Sequence, residues 1–107
     1  MMNEITASQL KSWQDQGKAF QLIDIREEEE VATGTIGGTW IPMDKVLEKR
    51  AEFSSDIPVV VHCNSGKRSR AVVYTLSTKY DMKNVYSLCG GIQAYAQEIN
   101  PAILQAL

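Results

Sequence analysis

Three polar clusters follow apolar runs in this chain: Asp24 and Arg26, then Cys63 with Asn64-Ser65-Gly66-Lys67-Arg68-Ser69, then Cys89-Gly90-Gly91. The middle cluster has the richest chemistry. The β-branched run Val59-Val60-Val61 ends at His62 and Cys63, and Ala71-Val72-Val73-Tyr74-Thr75-Leu76 resumes with helical character. Cys63 is therefore expected where a buried strand hands over to a helix start. The first amides of a helix have no partner within it, and its dipole places about half a positive charge there. A thiolate, a sulfur oxyanion or a phosphate is stabilised at such a point. That makes Cys63 a candidate nucleophile. The plainer use of such a cysteine is as a small buried apolar residue. Gly66 and the basic residues after it favour chemistry.

Gly66 permits a positive φ and lets backbone amides turn inward as a concave anion nest. Lys67, Arg68 and Arg70 oppose the dipole of a helix start, so three cations here call for a reason, and an anionic substrate supplies one. Arg68 either points in and binds an anion or points out and braces the loop against Asp24. His62 precedes Cys63 on a strand, where adjacent side chains face opposite ways, so it does not serve Cys63 as a base. Cys89 reads first as a turn residue, with a resolving thiol as the alternative.

The elements that position these clusters alternate. A short strand at Ile5-Thr6 leads into a helix over 7–16, with Thr6 and Gln9 spaced as a capping box and Gly17 as the stop. A strand follows over 20–25. Glu27-Glu28-Glu29-Glu30 opens a short helix to Thr33, its acids complementing the dipole. Thr35 to Pro42 is a glycine-punctuated loop with a few strand residues at Trp40 and Ile41. Asp44 is the expected N-cap of a helix to Phe53. Pro58 opens the strand 59–62, a helix reaches Lys79, a strand spans 84–88, a helix spans 92–98, and Pro101 precedes a short amphipathic tail. Strands that are nearly continuous apolar runs, alternating with helices, specify an α/β fold with a parallel sheet covered on both faces. Right-handed crossovers bring the carboxyl ends of parallel strands to one edge, where ligands bind. Asp24, Arg26, Cys63 and Cys89 are thereby expected to converge.

The 107 residues fit one domain, 1–107. A net charge of −2 leaves no electrostatic footprint for nucleic acid. Two distant cysteines form neither a disulfide framework nor a zinc signature. No apolar run approaches the ~20 residues of a membrane span, and the first residues lack the pattern of a signal peptide. A reducing, cytoplasmic setting is the expectation, one in which a thiol stays free.

Cys63-Asn64-Ser65-Gly66-Lys67-Arg68-Ser69 resembles the active-site loop Cys-x-x-Gly-x-Arg-Ser of the rhodanese family of sulfurtransferases. Leu22-Ile23-Asp24-Ile25-Arg26-Glu27 is similar to that family's Leu-Ile-Asp-Val-Arg-Glu stretch. Gly34-Thr35-Ile36-Gly37-Gly38-Thr39 with Ile41-Pro42, and Val85 to Tyr95 with its Gly90-Gly91, resemble two further segments in the right order. Thr35 and Gly37 depart from the family's usual histidine and proline, and Tyr95 from its tryptophan. The resemblance implies five parallel strands with helices on both faces. It implies a ping-pong reaction with no metal or organic cofactor, in which the Cys63 thiolate takes the outer sulfur of thiosulfate or another sulfane-sulfur donor. The resulting persulfide passes that sulfur to a thiol or cyanide acceptor, or to a sulfur-relay protein. Lys67 and Arg68 suit a doubly negative donor. Phosphatases and arsenate reductases of the related branch need Cys-x5-Arg, a position held here by Ser69. A non-catalytic interaction module would not need Cys63.

Overall fold

The computed structural model describes residues 3–104. Five parallel strands form one sheet in the order β1-β5-β4-β2-β3. They are β1 (Glu4–Ile5), β2 (Gln21–Asp24), β3 (Thr39–Trp40), β4 (Val59–His62) and β5 (Val85–Leu88). The helices are α1 (Ala7–Asp15), α2 (Glu28–Val31), α3 (Met43–Val46), α4 (Lys67–Lys79) and α5 (Gly91–Glu98). This is the α/β architecture expected from the alternation of elements.

β4 is central, and its four side chains are all buried. Strand alternation sends Val59 and Val61 to one core with Val46, Phe53, Val72, Val73 and Leu76, and Val60 to the other with Leu10, Leu88 and Tyr95. Burial of each valine contributes about 1.5–3 kcal/mol, so β4 anchors both layers. Helices α3 and α4 cover one face, and α1 and α5 the other. Helix α1 begins where expected: Thr6 Oγ1 accepts from the Gln9 amide and Gln9 Oε1 accepts from the Thr6 amide.

The helix expected from Asp44 to Phe53 is two pieces. Pro42, not Asp44, caps α3, and Asp44 lies within its first turn. A separate 3-10 turn covers Arg50–Glu52. The extended backbone of Pro42 precedes the Met43 amide, which bonds the Ile25 carbonyl and so starts the helix early. Arg50 Nη1 then donates to the Leu47 carbonyl and its guanidinium lies over the Tyr80 ring, satisfying the break. In the preceding loop, Thr35 Oγ1 accepts from the Gly37 amide, a local tie where the family's usual side chains are absent. The tail begins as a 3-10 turn at Pro101–Ile103, and residues 105–107 lie outside the described residues.

Arg26 is buried beyond the end of β2 and binds Asp24, also buried. Nε donates to Oδ1 at 3.0 Å and Nη2 to Oδ2 at 2.8 Å. The same guanidinium donates to the carbonyls of Glu30 at 3.2 Å and Gly34 at 2.7 Å. Its own carbonyl accepts from the Trp40 indole at 2.8 Å. One side chain thereby ties β2, α2 and the glycine loop together. Removing one partner of such a pair strands a buried charge. Asp24→Ala or Arg26→Ala should lower unfolding free energy by about 3–5 kcal/mol in urea titrations, and Asp24→Asn with Arg26→Met by clearly less than the sum of the single changes.

Candidate functional site

The loop after β4 is shaped by where its carbonyls go. Those of Cys63 and Asn64 accept from the amides of Ile92 and Gln93, at 2.9 and 3.1 Å. These donors belong to the first turn of α5 and have no partner inside that helix. Gly91 makes the approach possible, since a Cβ there would collide with the carbonyl oxygens of Cys63 and Asn64. With these carbonyls drawn toward α5, amides farther along the loop turn to the sulfur. The Gly66 amide donates to Cys63 Sγ at 3.1 Å and the Ser69 amide at 3.4 Å. Gly66 holds φ at 98°, the left-handed region that favours glycine, and is the N-cap of α4.

Beneath the sulfur lies a pair of buried hydroxyls. Cys63 Sγ is 3.7 Å from Ser69 Oγ, and Ser69 Oγ is 2.7 Å from Ser87 Oγ. Ser69 has one proton, given to the Gly66 carbonyl at 3.2 Å while the thiol donates to Ser69. When Cys63 is a thiolate, that proton can turn to the sulfur instead. The Ser87 hydroxyl has no other side-chain hydrogen bond among the described residues, so it donates to Ser69 in both states. Ser87 was not among the residues singled out from the sequence. Strand parity with Val85 would have placed it on the Cys63 side of the sheet.

The structure corrects one expectation about Arg68. It points out of the loop, but its partner is Glu30, not Asp24. Both terminal nitrogens donate to the Glu30 carboxylate at 2.8 Å, while Asp24 is occupied by Arg26. The link to Asp24 is indirect, because Arg26 holds the Glu30 carbonyl whose side chain holds Arg68. Glu30 also closes a capping box with Glu27. Its carboxyl is held down at about 2, chiefly by the hydrogen bonds from Arg68 and against the cost of burial. So one of the four acids, expected only to complement a helix dipole, braces the loop.

The remaining residues separate by position. Asn64 is half-buried, Ser65 and Lys67 are exposed, and their side chains make no hydrogen bond among the described residues. Asp24 and Arg26 share the sheet edge with Cys63 but do not contact its sulfur through any hydrogen bond. His62 faces away from Cys63, as strand parity requires. Burial pushes it down to about 4, and neither ring nitrogen has a hydrogen-bond partner among the described residues. Cys89 is exposed, and its thiol donates to Glu4 Oε2 at 3.1 Å, which raises its pKa. Among the described residues, no cluster of metal-ligating side chains occurs and no helix is long and apolar enough to cross a membrane.

A cysteine sulfur under converging amides at a strand-to-helix junction is the arrangement expected from the loop's own residues, and residues 6–98 match the family model of the rhodanese-like domain. The chain belongs to the rhodanese family. It is 33% identical over 105 residues to a sulfurtransferase of Allochromatium vinosum, covering 96% of each chain. A rhodanese-related protein from Thermoplasma volcanium superimposes with a TM-score of 0.80 at 32% identity, over 92% of this chain and 95% of that one. The family also occurs within longer proteins: a tRNA uridine(34) hydroxylase of Xanthomonas euvesicatoria is 32% identical over 107 residues, 89% of this chain but 43% of that one. Family and sulfurtransferase relative together support sulfur transfer as the general activity.

Two outcomes follow from the rhodanese loop's supports. The Glu30 carboxyl lies below its unfolded value of 4.5, so its contribution to stability is complete above that pH and is lost as pH falls toward about 2. The difference in melting temperature between wild type and Glu30→Gln should therefore narrow over that window, since other acid effects are common to both. Ser69→Ala should slow alkylation of Cys63 by iodoacetamide at neutral pH about fivefold, the worth of one ~1 kcal/mol hydrogen bond made to the thiolate, whereas Ser87→Ala, whose bond to Ser69 is common to both states, should change it less than about twofold.

Proposed function

We propose that this protein moves sulfane sulfur from thiosulfate, or from a persulfide donor, through a Cys63 persulfide to a thiol or cyanide acceptor. The carrying observation is the cradle in which the Gly66 and Ser69 amides and the Ser69 hydroxyl converge on Cys63 Sγ. The thiolate attacks the outer sulfur of thiosulfate, a new S–S bond forms, and the old one leaves its electron pair on sulfite. Amides aimed at the sulfur stabilise its anionic forms without reorganising. The acceptor thiolate then attacks the outer persulfide sulfur and the Cys63 thiolate departs. Cys63 is fully buried and Ser65 in its loop is exposed, so the donor approaches from the Ser65 side.

Lys67 is exposed beside the cradle and draws a doubly negative donor toward it. Asn64 and Ser65 form the wall that the donor meets. Asp24 and Arg26 support the loop from a distance through Glu30.

A tetrahedral oxyanion is served poorly here. Arg68 lies one residue short of the Cys-x5-Arg spacing and is bound to Glu30, outside the cradle. Hydrolysis of an aryl phosphate is not expected. Thiosulfate treatment should add the mass of one sulfur atom to the intact protein, and peptide mapping should find it on Cys63. Cys63→Ser should abolish the gain and Cys89→Ser leave it unchanged. Lys67→Ala should raise KM for thiosulfate with little change in kcat. Sulfur found on Cys89, or Cys63-dependent phosphate hydrolysis, would overturn the assignment.

A further inference from the structure

Arg26 and Arg68 are committed to Asp24 and Glu30, whereas Lys67 and Arg70 take part in no salt bridge among the described residues. Together with Ala71, Tyr74 and Thr75 they line an open concavity of about 450 Å³. Positions 67, 70, 71 and 74 follow the spacing of one helix face. Tyr74 is 59% exposed, a large aromatic left in water at the far end of that face. The near end adjoins Gly66, whose amide bonds the Cys63 sulfur.

We propose that this face of α4 docks an acidic, extended segment of a protein that accepts sulfur from Cys63, an inference that rests on the sulfur-transfer reading. Length argues for a peptide. Lys67 to Tyr74 spans about 10 Å of helix at ~1.5 Å per residue. A small thiol does not bridge that distance, whereas about three residues of extended chain do, at ~3.3 Å each. Charge argues for acidity, since Lys67 and Arg70 are unneutralised in a chain whose net charge is −2. Two cations on a chain of net negative charge disfavour a nucleic acid, whose long polyanion would extend well past them. Tyr74 supplies the amphipathic platform characteristic of peptide contacts. A segment with one end at Lys67 and the other at Tyr74 brings its own cysteine to the mouth of the loop.

The test separates docking from chemistry. A fluorescein-labelled peptide Asp-Glu-Ser-Asp-Glu, with serine in the place of the accepting cysteine, is titrated with the protein by anisotropy. It should bind, and Arg70→Glu and Tyr74→Ala should each weaken it about fivefold or more. Arg70→Glu should also bind the lysine counterpart Lys-Lys-Ser-Lys-Lys more tightly than wild type does. Thiosulfate loading of Cys63 and transfer to 2-mercaptoethanol should stay within about twofold of wild type in Tyr74→Ala, since Tyr74 carries no charge that attracts the donor and does not touch the sulfur cradle. Equal affinity for a Gly-Ser peptide, unchanged affinity in both variants, or equally tight binding of an oligonucleotide of matching charge would overturn the docking surface. Peptide binding as expected with no sulfur loaded from thiosulfate would instead overturn the sulfur-transfer reading.

Discussion

The loop depends on a sorting of peptide dipoles. Each peptide unit between β4 and α4 presents a carbonyl to one side and an amide to the other. The first-turn amides of α5 attract the carbonyls of Cys63 and Asn64, and the Gly66 and Ser69 amides turn to the sulfur. Two helix starts therefore divide the work, with α5 holding carbonyls and the start of α4, from its Gly66 cap to Ser69, turning amides to the sulfur. The unpaired amides of α5 are a by-product of helix geometry, and here they find acceptors in a neighbouring loop. Any side chain at residue 91 would part the two segments, which gives Gly91 a steric reason independent of its backbone angle.

A second chain of contacts fixes the loop from its other side. Asp24 orients the Arg26 guanidinium, Arg26 holds the Glu30 carbonyl, and the Glu30 carboxylate clamps Arg68 in the first turn of α4. The first link is dry, and the last is about a third exposed. Water screens the last link, so the buried end supplies rigidity and the outer end sets direction. Turning Arg68 outward also keeps a guanidinium out of the cradle, leaving backbone amides to face the sulfur.

Much of this was legible in the sequence because local chemistry determines it. Pro58 and three valines mark β4, Thr6 and Gln9 mark the start of α1, and the Cys63-to-Ser69 spacing marks the loop. The strand-end rule placed Asp24, Cys63 and Cys89 on one edge, where they lie. The failures are all tertiary. Asp44 has the chemistry of a cap, but the bond from the Met43 amide to Ile25 moved the helix start upstream. Glu30 is one of four like neighbours, and its partner is 38 residues away. Asp24 was already occupied by a residue two positions on, so it could not brace Arg68. Ser87 has no motif of its own and acquires meaning only through the β4–β5 register, where it stands opposite Val61.

The two cysteines show how little of the chemistry belongs to the residue itself. Cys63 is the first residue after β4 and Cys89 the first after β5, on adjacent parallel strands and at the same edge. After Cys63, three residues precede the helix, enough for the chain to curl and return amides to the sulfur. After Cys89, Gly90 caps α5 at once and no curl is possible. The Cys89 sulfur turns instead to the carboxylate of Glu4 on β1, which accepts a hydrogen bond from the thiol and opposes a second negative charge. One thiol is buried among donors and the other is exposed beside an acceptor. The difference lies in loop length and in which groups, amide or carboxylate, the adjoining segments present.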